Sequence, residues 1–283
     1  MDDATLQSLN RRGLFPGHME DEAAFLRRIE LLKTQLATDA VEGSCPISME
    51  DWGKAHALTT ALFDVKPDWI AAVYSAKGLP FWERAAAWET EEKGCTIPLI
   101  QLQPVLKKGK LYSLEEVLAH EAVHAVRSHL KQNRFEEIMA YSTSRFSYRK
   151  WLGPIFRKPW ETNLFLLSLL FSLFLVWFGN GSVLLDCLTA LPFFLLAYWY
   201  MRLQDVQGVF KKCLQNLSQC LTNPERALAV ALRLTDDEIS HFSRMRPAEI
   251  AQYVAIGKKS SLRFKVIALE YFDRPEKHET NQR

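Results

Sequence analysis

Apolar positions follow three different patterns along this chain, and each predicts a different kind of element. In residues 20–36, Ala24, Phe25, Ile29, Leu32 and Leu36 recur at helical spacing with charges between them, which predicts an amphipathic helix. A second helix is expected over residues 48–63, opened by Ser48 and Asp51 and followed by Pro67. After Trp69 the period shortens. Residues 70–74, 82–88 and 96–102 are short apolar runs separated by Lys77-Gly78 and Lys93-Gly94. They predict three strands of a small sheet, with Pro98 assigning the third to an edge. Helical spacing then returns: Ser113-Leu114-Glu115-Glu116 has the form of a capping box, and Leu118, Val123 and Val126 supply buried faces. This helix runs on through Leu130 to a turn at residues 131–134, and a return helix starts at Phe135. Residues 1–19, with Arg11-Arg12-Gly13 and Phe15-Pro16-Gly17, read as a loop or arm lying on the rest.

Residues 162–201 have no polar face at all: 40 residues carry a single charge, Asp186. Gly179-Asn180-Gly181-Ser182 divides them into two apolar helices, each close to the ~20 residues needed to cross ~30 Å of hydrocarbon. A transmembrane helical hairpin is expected, with Trp160, Trp177, Tyr198, Trp199 and Tyr200 at its ends and Asp186 near the far interface. Arg145, Arg149, Lys150, Arg157 and Lys158 precede the first span, and Arg202, Lys211 and Lys212 follow the second. Basic flanks on both sides put both termini in the cytoplasm. Residues 202–283 read as helices: one over 202–221, another capped by Asn223-Pro224, a capping box at Thr235 to Glu238, a helix opened by Pro247 and closed by Gly257, a last one over 262–272, and a frayed polar end. The expected fold is α+β, in three parts: a cytoplasmic domain over residues 1–160 with the small sheet and the helix pair, the membrane hairpin over 161–201, and an all-α cytoplasmic part over 202–283.

Composition narrows the function classes. The 35 basic and 33 acidic residues leave a net charge of +2, so whole-molecule charge favours no polyanionic partner and no nucleic acid is expected. The juxtamembrane basic residues are accounted for by topology and lipid head groups. Five cysteines, odd in number and without a CxxC pair, read as reduced thiols. The first 30 residues hold no apolar core, so no secretory signal peptide is expected.

The candidate chemistry lies in His120-Glu121-Ala122-Val123-His124. Histidines four apart on a helix project from one face and can share a metal, with Glu121 beside them as base. A catalytic zinc takes three protein ligands and keeps its fourth position for water. The return helix brings Glu137 back towards His124, which makes it the leading third ligand, with Glu136 one position away. His129 lies five residues beyond His124, about 140° around the helix, and reads as a solvent-facing or helix-end residue. Tyr141, His129 and Arg145 are candidates to stabilise an oxyanion. His18, His56, His241 and His278 have no partner at ligand spacing.

HExxH followed by Glu137-Ile138-Met139-Ala140 resembles the gluzincins, whose zinc site is HExxH plus a downstream Glu on a second helix. The resemblance covers residues 113–144 and implies a zinc-dependent metallopeptidase with His120, His124 and Glu137 as ligands and Glu121 as general base. Membrane-embedded heat-shock and prenyl-protein proteases are similar in pairing a cytosol-facing HExxH with a membrane hairpin. Their third ligand follows the hairpin, however, and further spans precede their motif; on that plan Glu225 would be the ligand. The expected partners are the bilayer and a polypeptide substrate at or near the membrane. The rival expectation is a non-enzymatic hairpin anchor that recruits partners through its soluble parts, and a zinc hydrolase acting on something other than peptides is a third.

Overall fold

The computed structural model describes residues 1–35, 45–80, 83–108, 113–157, 159–178 and 187–273. The fold is mixed α+β, mostly helical, around one small sheet. The expected Gly-Asn-Gly-Ser turn, Asp186, His278 and the frayed C-terminal end lie outside the described residues.

The N-terminus is not the expected arm. Asp2 caps a helix, α1 (Asp3–Arg11), by accepting from the Thr5 N–H, and Leu6 anchors it in the core. The chain then turns at Gly13, whose φ of +75 suits glycine and whose missing Cβ leaves room for Val126 at 3.0 Å. Leu14 and Phe15 follow into the core. Helix α2 (Glu22–Gln35) and helix α3 (Met49–Phe63, capped by Ser48) form where the apolar period predicts them. A two-residue strand β1 (Cys45–Pro46), too short for any pattern to reveal, precedes α3.

Strands β2 (Ala71–Tyr74), β3 (Ala85–Glu92) and β4 (Cys95–Leu102) complete a four-stranded sheet in the order β1-β2-β4-β3. β2 and β4 are parallel and the other pairs antiparallel. Lys93 and Gly94, both at positive φ, close the β3–β4 hairpin in two residues, the backbone demanded by a turn whose twist matches its strands. The edge assignment of the third run is corrected: β4 is interior and β3 is the edge. The β2 ladder begins only at Leu99, so Pro98 has a neighbouring strand on one side alone, the local condition of an edge, where proline is tolerated.

Helix α4 (Leu114–Arg127) carries both motif histidines and packs on α3, β3 and β4. Ser113 caps it, but the expected capping box is half made. Glu116 turns inward to Ser144, Arg145 and Arg149 instead of back to its own cap. A 3-10 turn (Ser128–Leu130) and Lys131 at φ +51 reverse the chain into α5 (Glu136–Tyr141). Helix α6 (Ser147–Leu152) leads to α7 (Pro159–Phe178). Among the described residues, α7 contains the one segment long and apolar enough to cross a membrane, Trp160–Trp177, with mean hydropathy 1.6. Helix α8 (Leu191–Ser218) lies antiparallel beside α7: Arg202 grips the buried Glu161 at 2.6 and 2.9 Å near one end, and the Ser172 hydroxyl donates to the Thr189 carbonyl further along.

Beyond α8 come a 3-10 turn capped by Asn223, α9 (Ala227–Leu232), α10 (Asp236–Phe242), α11 (Pro247–Ser260) and α12 (Leu262–Ile267). The Thr235–Glu238 capping box is complete. Gly257 does not end α11; it sits inside, where a Cβ would meet the Phe264 ring at 2.9 Å, so glycine serves close packing there. The segments before and after the two apolar helices share one core, in which Leu6, Phe63, Val126 and Phe135 join Phe210, Val230, Ile239 and Val266. Among the described residues, three fully buried arginines fasten it. Arg233 donates to Asn10 and to the carbonyls of Phe63 and Ala229, Arg263 pairs with Glu238, and Arg127 at the end of α4 donates to the Leu232 and Leu234 carbonyls and to Asp236. All five cysteines are free thiols.

Candidate metal centre

Alternate requirements meet in α4. Ala119, Ala122, Val123 and Val126 are buried against the body, which leaves the His120, Glu121 and His124 side to line the space between α4, α5 and the β3 edge. Phe135, Met139 and Ala140, all fully buried, fix the rotation of α5. That rotation presents Glu136 and Glu137, at the N-terminal turn where the helix dipole favours negative charge, to the histidines.

Donor atoms of His120, His124 and Glu137 all lie within 4.8 Å of one another. The two Nε2 atoms are 3.3 Å apart, and the Glu137 carboxylate stands 3.6 Å from His124 Nε2 and 3.8 Å from His120 Nε2. The second nitrogen of each ring is already committed: His124 Nδ1 faces Glu136 Oε1 at 2.5 Å, and His120 hydrogen-bonds to the backbone of Ala140. With those nitrogens as donors, both Nε2 lone pairs point into the same space, an arrangement that calls for a cation or a trapped proton between them. A tetrahedral ion with bonds of ~2.0–2.1 Å to nitrogen sets two ligand nitrogens about 3.3 Å apart, the spacing found here. The donor set thus fits a metal ion.

Charge distribution agrees with that picture. His120 is held well below the usual imidazole range by burial and by the charges of His124 and Arg149. Burial acts on His124 too, but the Glu136 hydrogen bond and the carboxylates of Glu137, Glu136 and Glu121 outweigh it and raise its pKa to about 10. One proton therefore sits on the pair where a cation would otherwise lie. Glu121 is raised to about 7 by burial, His124 opposing and Glu137 adding, while the Ala87 N–H of the β3 edge donates to its carboxylate. Glu137 is raised by burial, with His124 the main opposing influence.

The rival ligands part company. Glu136 faces the ring nitrogen that does not point at the cluster, which makes it an orienting group for His124. Glu225 is exposed on the turn before α9 and, among the described residues, joins no metal-ligating group. Of the oxyanion candidates, Tyr141 lies edge-on against His120 at 4.7 Å, with Gly153 packed on its ring. Arg145 is engaged by Glu115, Glu116 and Ser113. His129 is corrected from solvent-facing: it ends the helix turned inward, 4.9 Å edge-to-face from Phe15. Two further residues escaped the sequence reading. Arg127 brings its Nε to 4.0 Å from Glu136 Oε2 from within the core, and Arg157, whose charge acts on Glu137, has an Nη2 buried without a hydrogen-bond partner. Neither lies at ligand spacing, so no motif could have found them.

Comparison with protein-family models, with curated proteins and with solved structures finds no match to this chain.

Proposed function

We propose that this chain is a membrane-anchored, zinc-dependent peptidase of gluzincin type, with His120, His124 and Glu137 holding the metal and Glu121 as general base. The observation that carries the reading is the convergence of the three donors within 4.8 Å, each histidine backed by its own acceptor, beside the Glu121 carboxylate held by the Ala87 N–H. Held by His120, His124 and Glu137, a zinc ion would supply Lewis acidity to a water and to a substrate carbonyl. Glu121 takes the proton of the attacking water on a carboxylate oxygen and hands it to the departing amide nitrogen. Tyr141, beside His120, is the candidate to steady the negative charge on the carbonyl oxygen. Substrate binding is supported by β3, a sheet edge running past α4 with Ala87 beside Glu121, along which an extended peptide can add as a further strand.

The anchor in this reading is a two-span hairpin. Support comes from α7, from the antiparallel packing of α8 on it, and from exposed Phe193, Phe194 and Tyr198 in the first turns of α8. Basic residues on both flanks favour a cytoplasmic position for both termini and for the metal centre. Polypeptides in or near the membrane are the proposed substrates. The test is Glu121→Gln in the detergent-purified full chain: zinc content should stay at the wild-type level while hydrolysis of an unstructured protein substrate disappears. Hydrolysis that persists in this variant rejects the mechanism; a wild type that binds zinc but cleaves no polypeptide rejects the substrate class.

A further inference from the structure

Residues 146–152, between the metal centre and the first apolar helix, form an unpartnered aromatic surface. Tyr148, Trp151 and Leu152 fall at i, i+3 and i+4 of α6, so they share one stripe, and Phe146 extends it with its ring 5.7 Å from that of Tyr148. No residue of α6 is buried: Phe146 is 54% exposed, Tyr148 63% and Trp151 47%. Three adjacent aromatic rings left this open mark a surface that something covers.

Its position indicates what. The Trp151 ring meets that of Tyr200 edge-on at 5.7 Å, and the Trp151 carbonyl accepts from the Gln207 side chain at 2.8 Å. Tyr200 and Gln207 bracket the level at which α8 changes character. One face of α8 is buried along its length, and it is the exposed face that changes: Phe193, Phe194 and Tyr198 stand on it before this level, and Asp205, Lys211 and Lys212 after it. The Glu161–Arg202 pair marks the same level, at the start of α7. The stripe therefore lies level with the ends of the apolar helices, the depth of lipid head groups. Tyr and Trp, apolar rings with a polar tip, belong at that depth. Lys150, exposed on the same helix, adds the positive charge that anionic head groups attract.

The geometry points to residues 146–152 as an interfacial anchor, embedded in the head-group layer of an anionic membrane and holding the metal centre against the bilayer surface. This rests on the spanning-helix part of the reading above and not on the peptidase part. Behind the anchor the path to the metal centre is short: Gly153, the next residue, packs on Tyr141, and Tyr141 packs on His120.

The experiment places the photo-crosslinking residue p-benzoylphenylalanine singly at Tyr148, at Trp151, at Leu170 within α7, and at the exposed Met19, which follows Gly17 beside His129 at the opposite end of α4 from α6. The full chain is reconstituted in vesicles of phosphatidylcholine with phosphatidylglycerol, irradiated, and analysed by mass. Gain of a phospholipid mass at positions 148 and 151, as at 170, and none at 19, is the expected result. A phospholipid adduct at 170 with positions 148 and 151 as silent as 19 overturns the anchor, as does crosslinking of 148 and 151 to a second copy of the chain in place of lipid. Absence of lipid at 170 itself overturns the spanning helix and the anchor with it, and is distinguishable from failure of the anchor alone. None of these outcomes depends on hydrolysis.

Discussion

Replacing Glu136 separates the role of an orienting carboxylate from that of a ligand. Glu136 Oε1 stands 2.5 Å from His124 Nδ1, on the side of the ring away from the cluster, while Glu137 stands 3.6 Å from His124 Nε2, on the side facing it. Groups that orient a metal-bound histidine are worth about 10–100-fold in metal affinity, or roughly 1.4–2.7 kcal/mol. Glu136→Gln keeps an oxygen able to accept from Nδ1 and loses only the charge, so about tenfold weaker zinc binding is expected; Glu136→Ala leaves Nδ1 without an acceptor and moves towards the hundredfold end. Glu137→Ala removes a donor atom and should weaken binding beyond that range. Arg127 keeps the Leu232 and Leu234 carbonyls at 2.7 and 3.0 Å and Asp236 at 3.3 Å in every variant, so the fold should hold, as thermal melting will check. The assay is competition for zinc against a chromophoric chelator at fixed pH. A Glu136→Ala protein that binds zinc as well as wild type, or one that loses zinc while Glu137→Ala still binds it tightly, refutes the division of roles.

Four other outcomes follow from the same structure. In chelator-treated protein the His124 pKa is raised from 6.5 to about 10, so the stabilisation its proton brings is complete below 6.5 and is lost as pH rises through about 10. The melting temperature should fall across that window, and less steeply in His124→Ala; a flat or rising profile in the unmutated protein contradicts the ion pairing. Zinc must displace the same proton, so calorimetry in buffers of different ionisation enthalpy near pH 8 should report about one proton released per ion bound, and none would contradict it. At Gly153, a Cβ would lie 2.4 Å from the Tyr141 ring, so Gly153→Ala should cost about 1–3 kcal/mol in stability and disturb Tyr141 against His120; an unchanged melting temperature would show that the contact is looser than described. Glu161→Ala strands Arg202, whose side chain is 24% exposed beside a carboxylate that is 3% exposed, and should cost about 3 kcal/mol in a detergent melt, the low end for a buried pair.

The helical elements were legible where local chemistry and burial ask for the same thing. Ser48, Ser113, Asn223 and Thr235 cap helices at the expected positions, and the HExxH spacing by itself places two imidazoles on one face of α4. What stayed hidden depends on partners distant in sequence. Pro98 reads as an edge residue until β2 is seen to stop short of it, and Gly257 reads as a helix end until Phe264 is seen to occupy the space of its missing Cβ. The distinction between Glu136 and Glu137 rests on the rotation of α5, which Phe135, Met139 and Ala140 set by burial in the core and which no spacing rule encodes. The helices after Asn223 show no chemistry in sequence. In space they supply the Leu232 and Leu234 carbonyls and Asp236 that hold Arg127, and through it they support the far side of Glu136.

Metal analysis of the detergent-purified chain tests the central claim most directly. Wild type and Glu225→Ala should each carry about one zinc per chain after dialysis, and His120→Ala and Glu137→Ala should carry none. Zinc that survives in His120→Ala or Glu137→Ala, or that disappears in Glu225→Ala, would contradict a centre built from α4 and α5.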